Sequence, residues 1–299
     1  MDDEQARHPQ AGHSSSRPAG VVVENVSVVF GGKDRRVHAL HDVSFEVPKG
    51  SFTSLIGQSG CGKSTLLGIM EGFITPTAGR VTLGGRPANA RGLRRSVVFQ
   101  QYALFPWRTA VRNVAFALEC RGLTARANES ATAYLDLVGL ADFADAYPRE
   151  LSGGMQQRVA IARALAYEPD YLLMDEPLGA LDALTRDQLQ LLIADLAQKF
   201  NHTVVYVTHN VSEAVYLSDE IVVLLPSPGR VRDVIRVETP RPRQPDAPQS
   251  RLLAAHITKL ITGTRSAHDE DPGTSRIMSA AEDGRQQVGR PSPSGIAHS

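Results

Sequence analysis

The chain has 299 residues, of which 42% are apolar and 21% charged, values that exclude a disordered polymer. Its 32 Lys and Arg cancel 32 Asp and Glu, so the basic excess typical of a chain that lives on nucleic acid is missing. Two cysteines, Cys61 and Cys120, exclude a disulfide framework and fit a reducing cytoplasm.

No apolar run approaches the roughly 18 residues of a membrane span. Asp2, Asp3 and Glu4 stand where a signal peptide needs a basic stretch. Residues 1–20 hold almost no large apolar side chains and are expected to be disordered, because burial cannot offset their ordering entropy. Strands are predicted at Val21–Val29, Val43–Val47 and Ser51–Ile56, the last running into a glycine loop and a helical Lys63–Phe73. From Thr109 to Glu168 the period turns helical: Val111, Val114, Ala115 and Leu118 recur at i, i+3, i+4, i+7, and Ala131, Leu135 and Val138 repeat the idea. Tyr171–Met174, Thr203–Val207 and Ile221–Leu225 are short apolar runs, the pattern of strands buried on both faces of a parallel sheet. A helical insertion inside an α/β sheet protein follows. Residues 239–250 carry four prolines and read as a linker. It leads to a short amphipathic helix bearing Leu253, Ile257, Leu260 and Ile261. Residues 264–299 are again polar and expected to be disordered.

Three motifs carry chemistry. Gly57-Gln58-Ser59-Gly60-Cys61-Gly62-Lys63-Ser64, followed by Thr65, fits the P-loop pattern and has the required strand before it and helix after it. Glycines let backbone N–H groups converge on phosphate oxygens, and the helix N-terminus adds a favourable dipole. Lys63 supplies positive charge to the β- and γ-phosphates, and the Ser64 hydroxyl can ligate Mg²⁺. Asp175-Glu176 ends an apolar strand, where ligands of open α/β sheets bind. Adjacent strand residues point in opposite directions, which predicts separate roles: Asp175 on Mg²⁺ through its water shell, Glu176 polarising the attacking water. In Leu151-Ser152-Gly153-Gly154-Met155-Gln156-Gln157-Arg158, Ser152 is a good N-cap, and two glycines at a helix start expose N–H groups to an anion.

Leu151–Arg158 resembles the signature motif of ATP-binding cassette (ABC) transporter ATPases, and it stands between P-loop and Asp-Glu-Pro in that family's order. The resemblance covers most of residues 21–240. It implies a P-loop NTPase fold with a mostly parallel core sheet, an antiparallel β subdomain and a helical subdomain at about 101–165; residues 241–263 would form linker and C-terminal helix. Gln100 resembles the glutamine that ligates Mg²⁺ and couples to the membrane subunit, Leu178–Asp182 the D-loop, and His209 the switch histidine at the γ-phosphate. Phe30 sits where the family has an adenine-stacking aromatic, and Ser152, Gly153, Gly154 and Gln156 would face the ATP of a second copy. Leu104-Phe105-Pro106-Trp107, Ala183–Arg186 and Pro228-Gly229-Arg230 are similar to the importer group for nitrate, sulfonates and taurine. Gln58, where Pro is frequent, and Asn210, where Asp is usual, depart from the pattern. The resemblance implies a head-to-tail homodimer that hydrolyses ATP with Mg²⁺ at the cytoplasmic face of the inner membrane. Its partners would be integral membrane permease subunits and an extracytoplasmic solute-binding protein, with no nucleic acid. Residues Tyr102–Trp107 are expected to dock the permease, with Phe105 and Trp107 as core residues of the helical subdomain the alternative. A repair or translation ATPase is disfavoured by the single cassette and the lack of sustained heptads between Lys63 and Ser152. A non-catalytic subunit is disfavoured by the presence of Glu176 and His209.

Overall fold

Chain order in the computed structural model runs β1 (Ala19–Phe30), β2 (Val37–Pro48), β3 (Phe52–Gly57), α1 (Lys63–Met70), β4 (Ala78–Leu83), β5 (Arg86–Pro87), β6 (Arg95–Val98), α2 (Ala110–Cys120), α3 (Ala127–Leu137), α4 (Gly153–Ala166), β7 (Tyr171–Asp175), α5 (Ala183–Phe200), β8 (Thr203–Thr208), α6 (Val211–Leu217), β9 (Glu220–Leu225), β10 (Arg230–Arg236) and α7 (Pro248–Thr262). Residues 19–31, 36–244 and 246–263 are described. The disorder expected of 1–18 and 264–299 lies outside them, whereas Ala19 and Gly20 already belong to β1, paired with the end of β2.

An antiparallel sheet has the order β2-β1-β4-β5. Val21 and Val23, then Val26 and Val28, are buried. The period of two skips a residue because Asn25 adopts φ 48° at a break in the register, tied by its Nδ2 to Asp42 Oδ1 at 2.9 Å.

The second sheet has the order β10-β9-β3-β8-β7-β6, with β10 its one antiparallel member. Its apolar runs are buried on both faces. Leu172, Met174, Val204 and Tyr206 pack with helices α2 to α5, while Leu173, Val205, Val207 and Val222 pack with α1 and the antiparallel sheet. Val111, Val114, Ala115, Leu118, Ala131, Leu135 and Val138 join the first of these cores, as their spacing predicts. Burying one such Leu or Val side chain contributes about 1.5–3 kcal/mol.

A third core joins α6 and α7 to β9, with Ile257 fully buried and Leu253, Leu260 and Ile261 beside it. The proline-rich stretch before α7 is pinned to the fold. Arg243 is 7% exposed and donates to the carbonyls of Thr239 (2.8 Å), Tyr216 (3.1 Å) and Ser218 (2.5 Å). Burial, then the neighbouring Arg241, lowers its pKa to about 10. The helix itself begins at Pro248, inside the stretch read as a linker, since proline fits a first helical turn. Contacts divide the chain at Ile261, and of the unit beyond it only Thr262 and Gly263 are described.

Candidate active site

Strand order decides which side chains meet. β3 lies between β8 and β9, and β7 lies beside β8. Register sets Ile56 opposite Thr208 and Asp175 opposite Val207, so the carboxyl ends of β3, β8 and β7 form one edge. The P-loop leaves from the first, His209 from the second and Asp175-Glu176 from the third.

Gly57 is dictated by close approach: a Cβ there would lie 2.4 Å from the Leu224 carbonyl oxygen. Gly62, at φ 90°, is the left-handed cap from which α1 starts, with no side chain capping it. Lys63 is 6% exposed and folds back on its own loop, donating from Nζ to the carbonyls of Gly57 (2.8 Å) and Gln58 (3.2 Å). Buried Cys61 lies 3.8 Å from the same Nζ, and burial pushes its thiol pKa up. Ser64 Oγ donates to Asp175 Oδ1 at 3.5 Å. Burial foremost, then the charge of Glu176, raises the Asp175 pKa above 3.8, with Ser64 and Lys63 opposing.

Strand geometry ends at Glu176. Its φ of 44° turns it out of strand geometry; Glu176 lines the cavity beside Lys63, while Asp175 meets Ser64. A non-glycine residue in that region is strained by roughly 1–2 kcal/mol. The Glu176 N–H still donates to Val207 O at 2.9 Å, and Oε2 accepts from His209 Nδ1 at 3.0 Å.

A cavity of about 480 Å³ opens here, lined by Ser59, Gly60, Gly62, Lys63, Ser64, Thr65, Glu176 and His209, with Val37 and His38 opposite. Its volume suits a small-molecule ligand. Phe30 pairs with Val37 across the ladder, is 44% exposed, and does not line the cavity. Gln100 lies past the end of β6, where a Cβ on Gly179 would come within 3.3 Å of its amide and 3.6 Å of Glu176 Oε2.

The signature segment lies elsewhere in the chain. Ser152 caps α4 by accepting from Met155 N, and Gln156 donates to Leu151 O at 3.1 Å. Gly153 packs against Tyr102 and Gly154 against Thr185. None of the four lines the cavity beside Lys63. Sequence reasoning missed Arg186, Thr208 and Glu213, which flank the Glu176–His209 contact. The spacing Asn210-x-x-Glu213, a capping pattern, was the available signal.

A glycine cradle, a lysine and two carboxylates at one sheet edge define a P-loop nucleoside triphosphatase. Comparison with known proteins narrows that class. The family model described as ABC transporter matches residues 40–179. A taurine import ATP-binding protein, TauB of Rhizobium johnstonii, is 49% identical over 211 residues, 70% of this chain and 80% of the relative. A nitrate import ATP-binding protein, NrtD of Synechocystis, is 42% identical over 258 residues, 83% and 97% of the two chains. Among solved structures, a dimeric ATP-binding cassette in a post-hydrolysis state with ADP and phosphate is 33% identical with a TM-score of 0.64, covering 73% of this chain and 99% of the other. The chain belongs to the ATP-binding ATPases of ABC transporters.

Proposed function

We propose that this chain is the ATP-hydrolysing subunit of an importer for a small nitrate-, sulfonate- or taurine-like solute, energising a separate permease. The convergence of Lys63, Ser64, Asp175, Glu176 and His209 on one edge carries the catalytic part of the reading. The import relatives support the direction and the class of cargo. No helix among the described residues is long and apolar enough to cross a membrane. The site of action is the cytoplasmic face of the inner membrane, with an extracytoplasmic solute-binding protein delivering the cargo.

The chemistry follows from position. Lys63 and the P-loop amides bind the phosphates. Ser64 Oγ and Asp175 Oδ1 stand 3.5 Å apart, two hard oxygen donors that would hold Mg²⁺, with Gln100, past the end of β6, as a further donor. Bound Mg²⁺ supplies neutralisation of phosphate charge. Glu176 aligns the attacking water, and His209, oriented through Nδ1, presents its other nitrogen toward the γ-phosphate. Ser152, Gly153, Gly154 and Gln156 complete the site of a second copy in a head-to-tail dimer.

Glu176→Gln keeps the shape of the side chain and removes its charge. ATP binding should persist while hydrolysis falls by roughly 10²–10⁴-fold. Near-normal turnover in that variant would sink the assignment.

A further inference from the structure

Glu213, in the first turn of α6, is 5% exposed. A carboxylate is buried that deeply only when its charge is matched and its oxygens are bonded. Oε2 accepts from the hydroxyls of Tyr206 at 3.0 Å and Thr208 at 2.8 Å, and Oε1 faces Arg186 Nε at 3.8 Å.

The capping spacing would ordinarily turn Glu213 back onto the Asn210 N–H. Here Asn210 caps α6 through Oδ1, but its N–H donates to Thr208 Oγ1 at 3.0 Å. Thr208 therefore stands between the two, donating to Glu213 and accepting from Asn210. Thr208 and Asn210 are the chain neighbours of His209. Arg186 reaches the other way, donating from Nη2 to Leu181 O at 2.7 Å and from Nε to Leu178 O at 3.5 Å. Both carbonyls belong to the loop that follows Glu176.

We propose that Glu213 is a positioning residue for ATP hydrolysis. Through Thr208 it fixes the backbone on both sides of His209, and through Arg186 it ties that backbone to the loop Leu178–Asp182. One buried charge thus holds the two strands' ends in the register that brings His209 Nδ1 to Glu176. The proposal rests on His209 acting at the γ-phosphate.

Steady-state ATPase kinetics and nucleotide-free melting of the full chain test it, for Thr208→Val, Thr208→Ser, Arg186→Met and His209→Ala. Thr208→Val removes the bridging hydroxyl and should lower kcat roughly five- to tenfold, the worth of one such hydrogen bond, with KM for ATP within about twofold. Thr208→Ser restores the hydroxyl and should restore kcat. Arg186→Met, at a partly exposed position, should show the same split between kcat and KM, and it serves if the buried Thr208→Val does not fold. Equal kcat in Thr208→Val and wild type overturns the proposal, as does a fall in melting temperature and a rise in KM that track the loss of kcat. An inactive His209→Ala beside a fully active Thr208→Val and Arg186→Met removes Glu213 alone from the mechanism. A fully active His209→Ala overturns the reading of His209 and this proposal with it.

Discussion

Asp175 and Glu71 show what it costs the fold to bury carboxylates near one another at the sheet edge. Burial raises both carboxyls above their ordinary values of 3.8 and 4.5, and each has a carboxylate neighbour that adds to the rise, Glu176 for Asp175 and Asp175 for Glu71. A raised carboxyl is more easily ionised in the unfolded chain. Its contribution to stability is therefore full below the ordinary value and lost as pH climbs through the raised one. Asp175→Asn abolishes that loss and relieves Glu71 as well. The variant should melt a few degrees higher than wild type at pH 7 without nucleotide, and the gap should close as pH is lowered below about 4. Stabilisation by added Mg²⁺ and ATP should disappear in it. Scanning calorimetry across that pH range decides the matter, and a lower melting temperature at pH 7 would contradict the sign. The Lys63 ammonium is held over the P-loop by the Gly57 and Gln58 carbonyls and is the charge that loop offers a triphosphate, so Lys63→Ala should lose ATP binding.

At the scale of elements, the loop before α2 is built to hold an aromatic outward. Asn113, fully buried on α2, accepts from Phe105 N at 2.8 Å and donates to the carbonyls of Arg108 and Thr109, each at 3.0 Å. Arg163 donates to Ala103 O at 2.7 Å. Phe105 stacks edge-on with Phe116 at 4.9 Å, whereas Trp107 is 72% exposed beside a groove of about 720 Å³ between α2 and α3. The two aromatics therefore divide the roles, Phe105 packing the loop and Trp107 offering an anchor of the kind favoured at interfaces. Trp107→Ala should weaken co-purification with the permease and leave ATP binding intact, while Phe105→Ala should also loosen the loop. Loss of ATP binding in Trp107→Ala would count against a docking role. The C-terminal helix gives a stability prediction. Ile257→Ala opens a cavity in the third core and should cost about 2–5 kcal/mol, read from denaturant midpoints. Much of this was legible in the sequence because continuous apolar runs, the 3.6 period of α2 and the glycine loop are local signals. Arg243 and Glu213 were not, since both look like surface charges until distant carbonyls and hydroxyls close around them. The opposite facing expected of Asp175 and Glu176 rested on strand geometry, which ends where φ turns positive at Glu176. Gln58, an apparent departure, donates to Ile261 O at 2.9 Å and so joins the P-loop to α7.

Within one copy of the chain the signature segment and the P-loop cavity stand apart. Among the described residues, the signature segment, capped and packed against Tyr102 and Thr185, does not line the cavity at the P-loop edge. In the proposed head-to-tail pair both halves would close at once, with ATP common to each. Glu176→Gln should therefore accumulate as an ATP-dependent dimer, because bound ATP is no longer consumed. Lys63→Ala should stay monomeric. Ser152→Asp separates pairing from folding and from binding. Aspartate is as good an N-cap as serine, so α4 keeps its start and the chain its stability. Its added carboxylate would face the partner's triphosphate, where like charges repel. Placed on the Glu176→Gln background, Ser152→Asp should leave ATP binding by the monomer within about twofold and abolish the dimer peak in gel filtration with ATP. A dimer that forms as readily in the double variant would show that Ser152 does not face nucleotide, and the head-to-tail arrangement would fall with it.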